Sequence, residues 1–187
     1  MNKNKFVSRG GIKLDHALKT FSIDPSNLTV LDVGSSIGGF VDCLLQHGAA
    51  KIYSVDTAYG ELAWKLRQDP RVVVIERQNI LHLDSLPELV DLITIDVTFT
   101  SLTQILRAVA KFLIPSGKII ALLKPQYEDQ QLAMKHHGVI PETAQSEILD
   151  RIIKLLKDQG FYLLDQTDSP ILGTGGNREY LLYFNLG

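Results

Sequence analysis

The sequence is poor in cysteine and has no long hydrophobic run. Cys43 is the only cysteine among 187 residues, so no disulfide can form within the chain. The apolar stretch at residues 118–123 is only strand-length, whereas a membrane-spanning helix needs roughly 20 residues. No apolar leader follows the polar start of the chain. These absences predict a cytoplasmic protein and argue against a membrane-spanning role.

The chain also has little net charge, with a formal value of -2 at pH 7. Its overall charge therefore gives no attraction to nucleic acid. Positive charge is concentrated within residues 1–21, where Asp15 is the single acid and the cations are Lys3, Lys5, Arg9, Lys13 and Lys19. Such a basic segment can hold phosphates, and it can equally be a solvated tail.

The spacing of apolar residues divides the chain into alternating helices and strands. Predicted helical segments are residues 12–21, 40–46, 62–67, 102–113 and a last helix from Pro141 to the turn at Gly160. Predicted strands are residues 29–33, 51–55, 72–75, 92–95, 118–123, 161–164 and 180–184. Residues 127–138 are polar and lie between the fifth strand and its helix, so they are predicted to form a mobile substrate loop.

This alternation predicts an α/β fold of the Rossmann-like kind. The sheet should have seven mostly parallel strands with helices on both faces. The last two strands have no helix between them and should form an antiparallel hairpin across a loop that contains Gly173, Gly175 and Gly176. Length and composition fit a single domain over residues 1–187, which begins with the basic segment and its helix at residues 1–21.

Residues 32–40 join the first strand to a helix through small residues, as a ligand-binding turn requires. A dinucleotide fingerprint would need glycine at position 36, where Ser36 stands. The pattern formed by Asp32, Gly34 and Gly38 is compatible instead with an S-adenosylmethionine loop, which has no pyrophosphate to hold. A tight turn without any ligand remains the alternative.

Two polar residues follow the next strands. Asp56 ends the second strand, where a carboxylate can accept hydrogen bonds from both ribose hydroxyls of an adenosine. Asn79 lies just beyond the third strand, and its side-chain carbonyl could reach the adenine amino group. Each can also be an ordinary turn or capping residue.

Asp96 and Lys124 end the fourth and fifth strands, so a carboxylate and an amine should meet at the edge of the sheet where the cofactor binds. Methyl transfer from a sulfonium needs no metal, and none is predicted; it needs an aligned nucleophile and a base. Lysine is a base only when neutral, a form that a nearby cation such as Lys13 favours. Glu179 could orient a lysine or hold a ribose.

Taken singly, these four residues have plainer interpretations, as exposed lysines and surface ion pairs. Other methylation chemistries fit less well. Residues 96–99 lack the Asn/Asp-Pro-Pro-aromatic sequence that serves exocyclic amines, and Cys43 is on a helix, away from the strand edge. The residues therefore favour methylation of an oxygen atom.

Several ordered motifs closely resemble the TlyA or haemolysin A family of ribosomal RNA methyltransferases, within the FtsJ-like ribose 2′-O-methyltransferases. The motifs are FVSRGGIKL at 6–14, DVGSSIGGF at 32–40, LAWKLR at 62–67, IDVTF at 95–99, LKPQ at 123–126 and GNREY at 176–180. The resemblance runs through nearly the whole chain. It implies a class I S-adenosylmethionine-dependent methyltransferase fold and a partner that is ribosomal RNA or a ribosomal subunit.

The resemblance also implies roles for particular residues. The catalytic tetrad would be Lys13, Asp96, Lys124 and Glu179, with Lys124 as the base. Together with the loop positions, the predicted S-adenosylmethionine site comprises Asp32, Gly34, Ser36, Gly38, Gly39, Phe40, Asp56, Asn79 and Asp96. The predicted RNA-binding residues are Ser8, Arg9 and Gly10, which would hold a phosphate beside Lys13.

Two features depart from the family pattern. The family usually carries an S4-like RNA-binding module at the amino terminus, which is not expected in this chain. Residues 35–37 read Ser-Ser-Ile where related chains often read Ala-Ser-Thr. The leading hypothesis is methylation of a cytidine ribose in ribosomal RNA. The alternatives are a non-catalytic RNA- or ribosome-binding module, a membrane-active haemolysin and a nicotinamide-dependent oxidoreductase. The sequence specifies neither the target nucleotide nor the oligomeric state.

Overall fold

The computed structural model describes residues 5–173 and 175–187. The helices are α1 (Gly10–Thr20), α2 (Gly39–Gln46), α3 (Trp64–Arg67), α4 (Leu102–Val109), α5 (Pro125–Glu128), α6 (Gln130–Lys135) and α7 (Glu142–Asp158). The strands are β1 (Thr29–Val33), β2 (Lys51–Val55), β3 (Val72–Ile75), β4 (Val90–Ile95), β5 (Leu113–Leu123), β6 (Phe161–Asp168) and β7 (Tyr180–Leu186). Lys3, part of the predicted basic segment, lies outside the described residues.

The strands form one seven-stranded sheet in the order β3-β2-β1-β4-β5-β7-β6. β1 pairs in parallel with β2 and β4, and β4 pairs in parallel with β5. β7 runs antiparallel to both of its neighbours, β5 and β6. The carboxyl ends of β1, β2, β4 and β5 and the amino end of β7 therefore meet at one edge, where a site built from strand ends must lie.

Helices cover both faces of the sheet, which explains why the central strands are apolar almost throughout. On one face, Leu106 of α4 and Ile152 of α7 pack in the same apolar cluster as Ile93 of β4. On the other face, Leu14 of α1 and Leu44 of α2 belong to a second apolar cluster. The predicted fold class and the antiparallel terminal hairpin are confirmed.

Three local predictions need correction. Residues 127–138 contain the end of α5 and all of α6 rather than only a loop, because the Asp129 side chain caps α6 by accepting from the Leu132 amide. The helix predicted at 102–113 ends at Val109. β5 begins at Leu113 rather than at residue 118, with a register irregularity against β4. Within the described residues, no helix is long and apolar enough to cross a membrane.

Candidate functional site

Two adjoining cavities open at the edge where the strand ends meet. The larger has a volume of about 530 Å³ and lies between the glycine loop at residues 34–39, the start of α1, and the ends of β5 and β7. The smaller has a volume of about 340 Å³ and lies beyond the ends of β1, β2 and β4. Both are lined by Gly34, Ser36, Asp96 and Thr98. These four residues therefore mark the place where the two cavities meet.

The glycine loop follows a path that side chains would block. Gly34 has φ +84°, and a Cβ atom there would lie 2.4 Å from the Asp96 carbonyl oxygen. Gly38 has φ +100° and immediately precedes α2; a Cβ there would lie 2.3 Å from Leu66 Cδ1. Both positions favour glycine because of their left-handed backbone as well as the lack of space. At Gly34 the loop backbone therefore borders both cavities without an intervening side chain.

Asp56 holds the loop to the end of β2. Its Oδ2 accepts from the Ser36 amide at 2.7 Å, and its Oδ1 accepts from the Ala58 amide at 2.8 Å. The residue also lines the smaller cavity. Each carboxylate oxygen has a second lone pair, so Asp56 can accept further hydrogen bonds from a ligand while it keeps the loop in place.

Asn79 lines the smaller cavity too, but its side-chain carbonyl already has a partner. Its Oδ1 accepts from the Leu81 amide at 2.9 Å and caps the 3-10 turn at Ile80–His82. The Asn79 carbonyl therefore acts as a helix cap, which was the alternative interpretation of this residue. A contact between Asn79 and adenine stays a prediction.

Asp32 lies below the loop, in the interior of the sheet. It is 1% exposed, and its Oδ1 accepts from the Thr94 hydroxyl at 2.6 Å. Burial raises the pKa of this carboxyl to about 7, although the hydrogen bond from Thr94 opposes the change. Neither Asp32 nor Gly38 is among the described residues that line the two cavities. Direct contact of these two with a cofactor stays a prediction.

Two ion pairs line the larger cavity. Lys124 Nζ lies 2.6 Å from Asp96 Oδ1, and Lys13 Nζ donates to Glu179 Oε2 at 2.5 Å. The Lys13 and Glu179 side chains are 10% and 3% exposed, so this second pair is almost fully removed from water. The structure thus brings together all four residues of the predicted tetrad, from α1 and the ends of β4, β5 and β7.

The three predicted RNA-binding residues lie at the start of α1, but they face different neighbours. A Cβ atom on Gly39 would lie 2.2 Å from Ser8 Oγ, and one on Gly10 would lie 3.5 Å from the Phe40 ring. Ser8 and Gly10 are therefore next to the predicted cofactor loop. Arg9 is directed across the larger cavity, where its Nη2 donates to the Leu172 carbonyl at 2.5 Å.

The basic segment presents less unpaired charge than its composition suggests. Lys5 and Lys19 both bind the Asp15 carboxylate, at 2.9 Å and 2.5 Å, and His47 Nε2 is 2.9 Å from it. Although burial opposes the change, the hydrogen bonds from Lys19, His47 and Lys5 hold the Asp15 pKa well below its usual range. Arg9 is thus a cation of this segment that faces the larger cavity.

Thr98 and Gln126 belong to sequence motifs and Tyr127 to the predicted loop, but no site role was predicted for these lining residues. Thr98 borders both cavities, and Gln126 and Tyr127 line the larger one. Phe99 is 73% exposed and packs against Tyr127 with ring centroids 4.9 Å apart. These residues follow Asp96 and Lys124 by two or three positions. Extending the search from the strand ends into the following turns would have found them.

Comparisons with known proteins agree with this geometry. The family model for FtsJ-like methyltransferases matches residues 6–186. The chain belongs to the FtsJ-like methyltransferase family. It is a methyltransferase whose methyl donor is S-adenosylmethionine, as predicted, and its likeness to the haemolysin A family is confirmed.

Three relatives show how close the likeness is. Hemolysin A of Brachyspira hyodysenteriae is 40% identical, over 96% of this chain and 77% of the relative. The 16S/23S rRNA (cytidine-2′-O)-methyltransferase TlyA of Mycobacterium tuberculosis is 37% identical, over 97% of this chain and 69% of the relative. A solved structure of a hemolysin-like protein from Streptococcus thermophilus has a TM-score of 0.92 and 37% identity, covering 99% of this chain and 68% of that one.

Proposed function

We propose that this FtsJ-like methyltransferase transfers a methyl group to the ribose 2′-hydroxyl of a cytidine in ribosomal RNA. The observation that carries the proposal is the meeting of Lys13, Asp96, Lys124 and Glu179 in one cavity that adjoins the glycine loop. A hydroxyl acceptor needs a nearby base, and two lysines with two carboxylates supply one. The relative from Mycobacterium tuberculosis, a 16S/23S rRNA (cytidine-2′-O)-methyltransferase, supports the choice of cytidine and of ribosomal RNA.

The residues around the smaller cavity fit the nucleoside part of the donor. Asp56 offers carboxylate lone pairs to ribose hydroxyls, and the glycine loop lets backbone approach closely. At the start of α2, the first amides have no partners within the helix and can bind a carboxylate. Ser8 and Gly39 lie at that helix start. When bound, S-adenosylmethionine supplies an electrophilic methyl group on a sulfonium.

Lys124 is the proposed base. Its amine must be neutral to take the 2′-hydroxyl proton. The ribose oxygen would bond to the methyl carbon as the bond from that carbon to sulfur breaks, and the sulfur would keep the electron pair as a neutral thioether. Asp96 lies 2.6 Å from Lys124 Nζ and borders both cavities, so it can orient that amine at the junction of donor and acceptor. Glu179 holds Lys13 within the same cavity. This pair places an ammonium group in the cavity of the base, with its charge balanced by the Glu179 carboxylate.

The extent of the domain, its cellular location and its contacts with RNA are also proposed. Residues 1–187 are taken as one FtsJ-like domain that acts in the cytoplasm on ribosomal RNA or ribosomal subunits. Arg9 is the proposed phosphate-binding residue, because a guanidinium pairs with phosphate through charge-assisted hydrogen bonds. Ser8 and Gly10, beside the cofactor loop, would shape the passage between the two ligands.

The decisive experiment measures methyl transfer from labelled S-adenosylmethionine to ribosomal subunits that lack ribose methylation. Wild type should label RNA at a nucleotide that primer extension can map. Lys124→Ala should reduce labelling at least a hundredfold because the base is lost, while calorimetry should show cofactor affinity within about twofold of wild type. Lys111→Ala, an exposed lysine after α4, is the matched control and should keep full activity.

Two results would contradict the proposal. One is a wild-type chain that binds the cofactor but labels neither subunit. The other is labelling that survives in Lys124→Ala. Equal RNA binding by wild type and Lys124→Ala without any turnover would favour the non-catalytic RNA-binding alternative.

A further inference from the structure

Gln126 has a buried polar side chain that takes part in neither the Lys124–Asp96 nor the Lys13–Glu179 ion pair. It is the second residue of α5, two positions after Lys124, and it lines the larger cavity. The residue is 8% exposed, and its Oε1 atom is buried without a hydrogen-bond partner in the part of the chain that the structure describes. Buried polar atoms are nearly always paired in folded proteins. The cavity adjoins this side chain, and a rotation about the last side-chain bond would present the unpaired oxygen to a ligand there.

The order of the strands indicates which ligand this is. The residues proposed to hold the methyl donor follow β1, β2 and β4, and the described lining of the smaller cavity does not include Gln126. β4 separates β5 from β1, and neighbouring strands lie about 4.8 Å apart. Gln126 is thus about two strand spacings from the glycine loop. It lies on the side of Lys124 and Glu179, where the proposed function places the acceptor.

The chemistry of the side chain points the same way. Phosphates are bound best by cations, and Arg9, which also lines the larger cavity, supplies one. A neutral amide offers an acceptor oxygen and two donor hydrogens. That combination suits a nucleoside, whose hydroxyls and base edge also combine donors with acceptors.

We propose that the Gln126 amide hydrogen-bonds the acceptor nucleotide and holds its ribose against Lys124. This inference rests on the proposed function, because it requires an RNA acceptor in the larger cavity. Gln126 would then be a specificity residue: it touches the RNA substrate, not the methyl donor, and transfers no proton.

The test compares wild type with Gln126→Met, which keeps the length of the side chain and removes the amide. Gln131→Met, at an exposed glutamine of α6, is the matched control. Three quantities are measured: the thermal unfolding midpoint, the Kd for S-adenosylmethionine, and kcat/KM for ribosomal subunits that lack ribose methylation. Gln126→Met should unfold at the same or a higher temperature, because removing a buried polar atom that has no hydrogen bond should not lower the free energy of unfolding. Its Kd should stay within twofold, and its kcat/KM should fall at least tenfold.

Each other outcome overturns the inference in a recognisable way. A lower unfolding midpoint for Gln126→Met would show a structural role, and a weaker Kd would assign the amide to the methyl donor. Unchanged kcat/KM, with active wild type, would show that Gln126 does not touch the acceptor and would leave the proposed function intact. If wild type itself labels no RNA, the proposed function fails first and this inference with it.

Discussion

At the scale of single residues, Asp32 is the most unusual carboxylic acid of the fold. It is enclosed near the end of β1 with one hydrogen bond from Thr94, and its Oδ2 has no partner among the described residues. Burial raises its pKa from an ordinary 3.8 to about 7. The folded state thus binds the Asp32 proton more tightly than the unfolded chain does. The stability linked to this proton is complete below about pH 4 and is lost as the pH rises through about 7.

Asp32→Asn should remove that pH dependence, because an amide cannot ionise. Each tenfold difference in proton affinity corresponds to about 1.4 kcal/mol, so the effect should be several kcal/mol at most. The measurement is the urea unfolding midpoint of both proteins from pH 5 to pH 8. Relative to wild type, the variant should become steadily more stable as the pH rises. Parallel curves for the two proteins would show that Asp32 keeps an ordinary pKa in the fold.

Sequence reasoning reached the charged residues of the site more easily than the neutral ones. Asp96 and Lys124 were predicted because charged groups at the ends of buried strands are conspicuous. Asp32 was predicted from the loop pattern; its side chain is buried against Thr94, and its contact with a cofactor stays a prediction. Gln126 belongs to the LKPQ motif, but it carries no charge and follows the strand end, so only the cavity lining indicates a role for it. Which side of a strand end faces the ligand depends on packing that spacing alone does not determine.

At the scale of elements, the site depends on how closely α1 approaches α2. A Cβ atom on Gly39 would lie 2.2 Å from Ser8 Oγ and 2.8 Å from the Gly11 amide nitrogen. The segment before α1 is also tied down, since the Val7 amide donates to Asp42 of α2 at 2.8 Å. The first turns of the two helices therefore hold the segment of Ser8 and Arg9 over the cofactor loop.

Gly39→Ala should push these helix starts apart. Overpacking of this kind costs about 1–3 kcal/mol, and the displaced segment should weaken S-adenosylmethionine binding about tenfold or more. Thermal unfolding and calorimetric titration measure the two effects. Gly60→Ala is the control, because a Cβ there meets nothing within 4 Å, although its φ of +80° carries some strain. Unchanged cofactor affinity in Gly39→Ala would show that the α1–α2 contact does not shape the donor site.

The strands were predictable to within a few residues, because buried parallel strands appear in the sequence as short apolar runs between polar turns. β1, β2 and β3 match their predicted bounds. The stretch at residues 127–138 was harder. Its helix α6 has one buried residue, Ala133, and depends on the Asp129 cap. A short polar helix that packs through so little apolar surface leaves almost no periodic signal.

Across the molecule, the two cavities occupy different parts of one sheet edge. The smaller lies beyond β1, β2 and β4, whereas the larger extends from the glycine loop to the ends of β5 and β7. In the proposed function, the smaller would take the nucleoside of the methyl donor and the larger the RNA acceptor. With a formal net charge of -2, attraction to RNA must come from local cations instead of the overall field. Arg9 lines the larger cavity and is the proposed contributor there.

Arg9→Ala should weaken RNA binding several-fold and reduce the slope of log affinity against log salt concentration by about 1, as expected for one lost phosphate contact. Binding of ribosomal RNA at several salt concentrations measures both. Arg107→Ala, an exposed arginine in α4, should leave the slope unchanged. An identical slope for Arg9→Ala and wild type would mean that Arg9 stays on the Leu172 carbonyl when RNA binds.

The ion pair between Lys13 and Glu179 joins residues 166 positions apart. Glu179 directly precedes β7, which lies between β5 and β6 in the sheet. The position of its carboxylate therefore depends on both antiparallel pairings of β7. Any break in the terminal hairpin would leave the nearly buried Lys13 ammonium without its counter-ion, so damage at one strand would be felt at a distant helix.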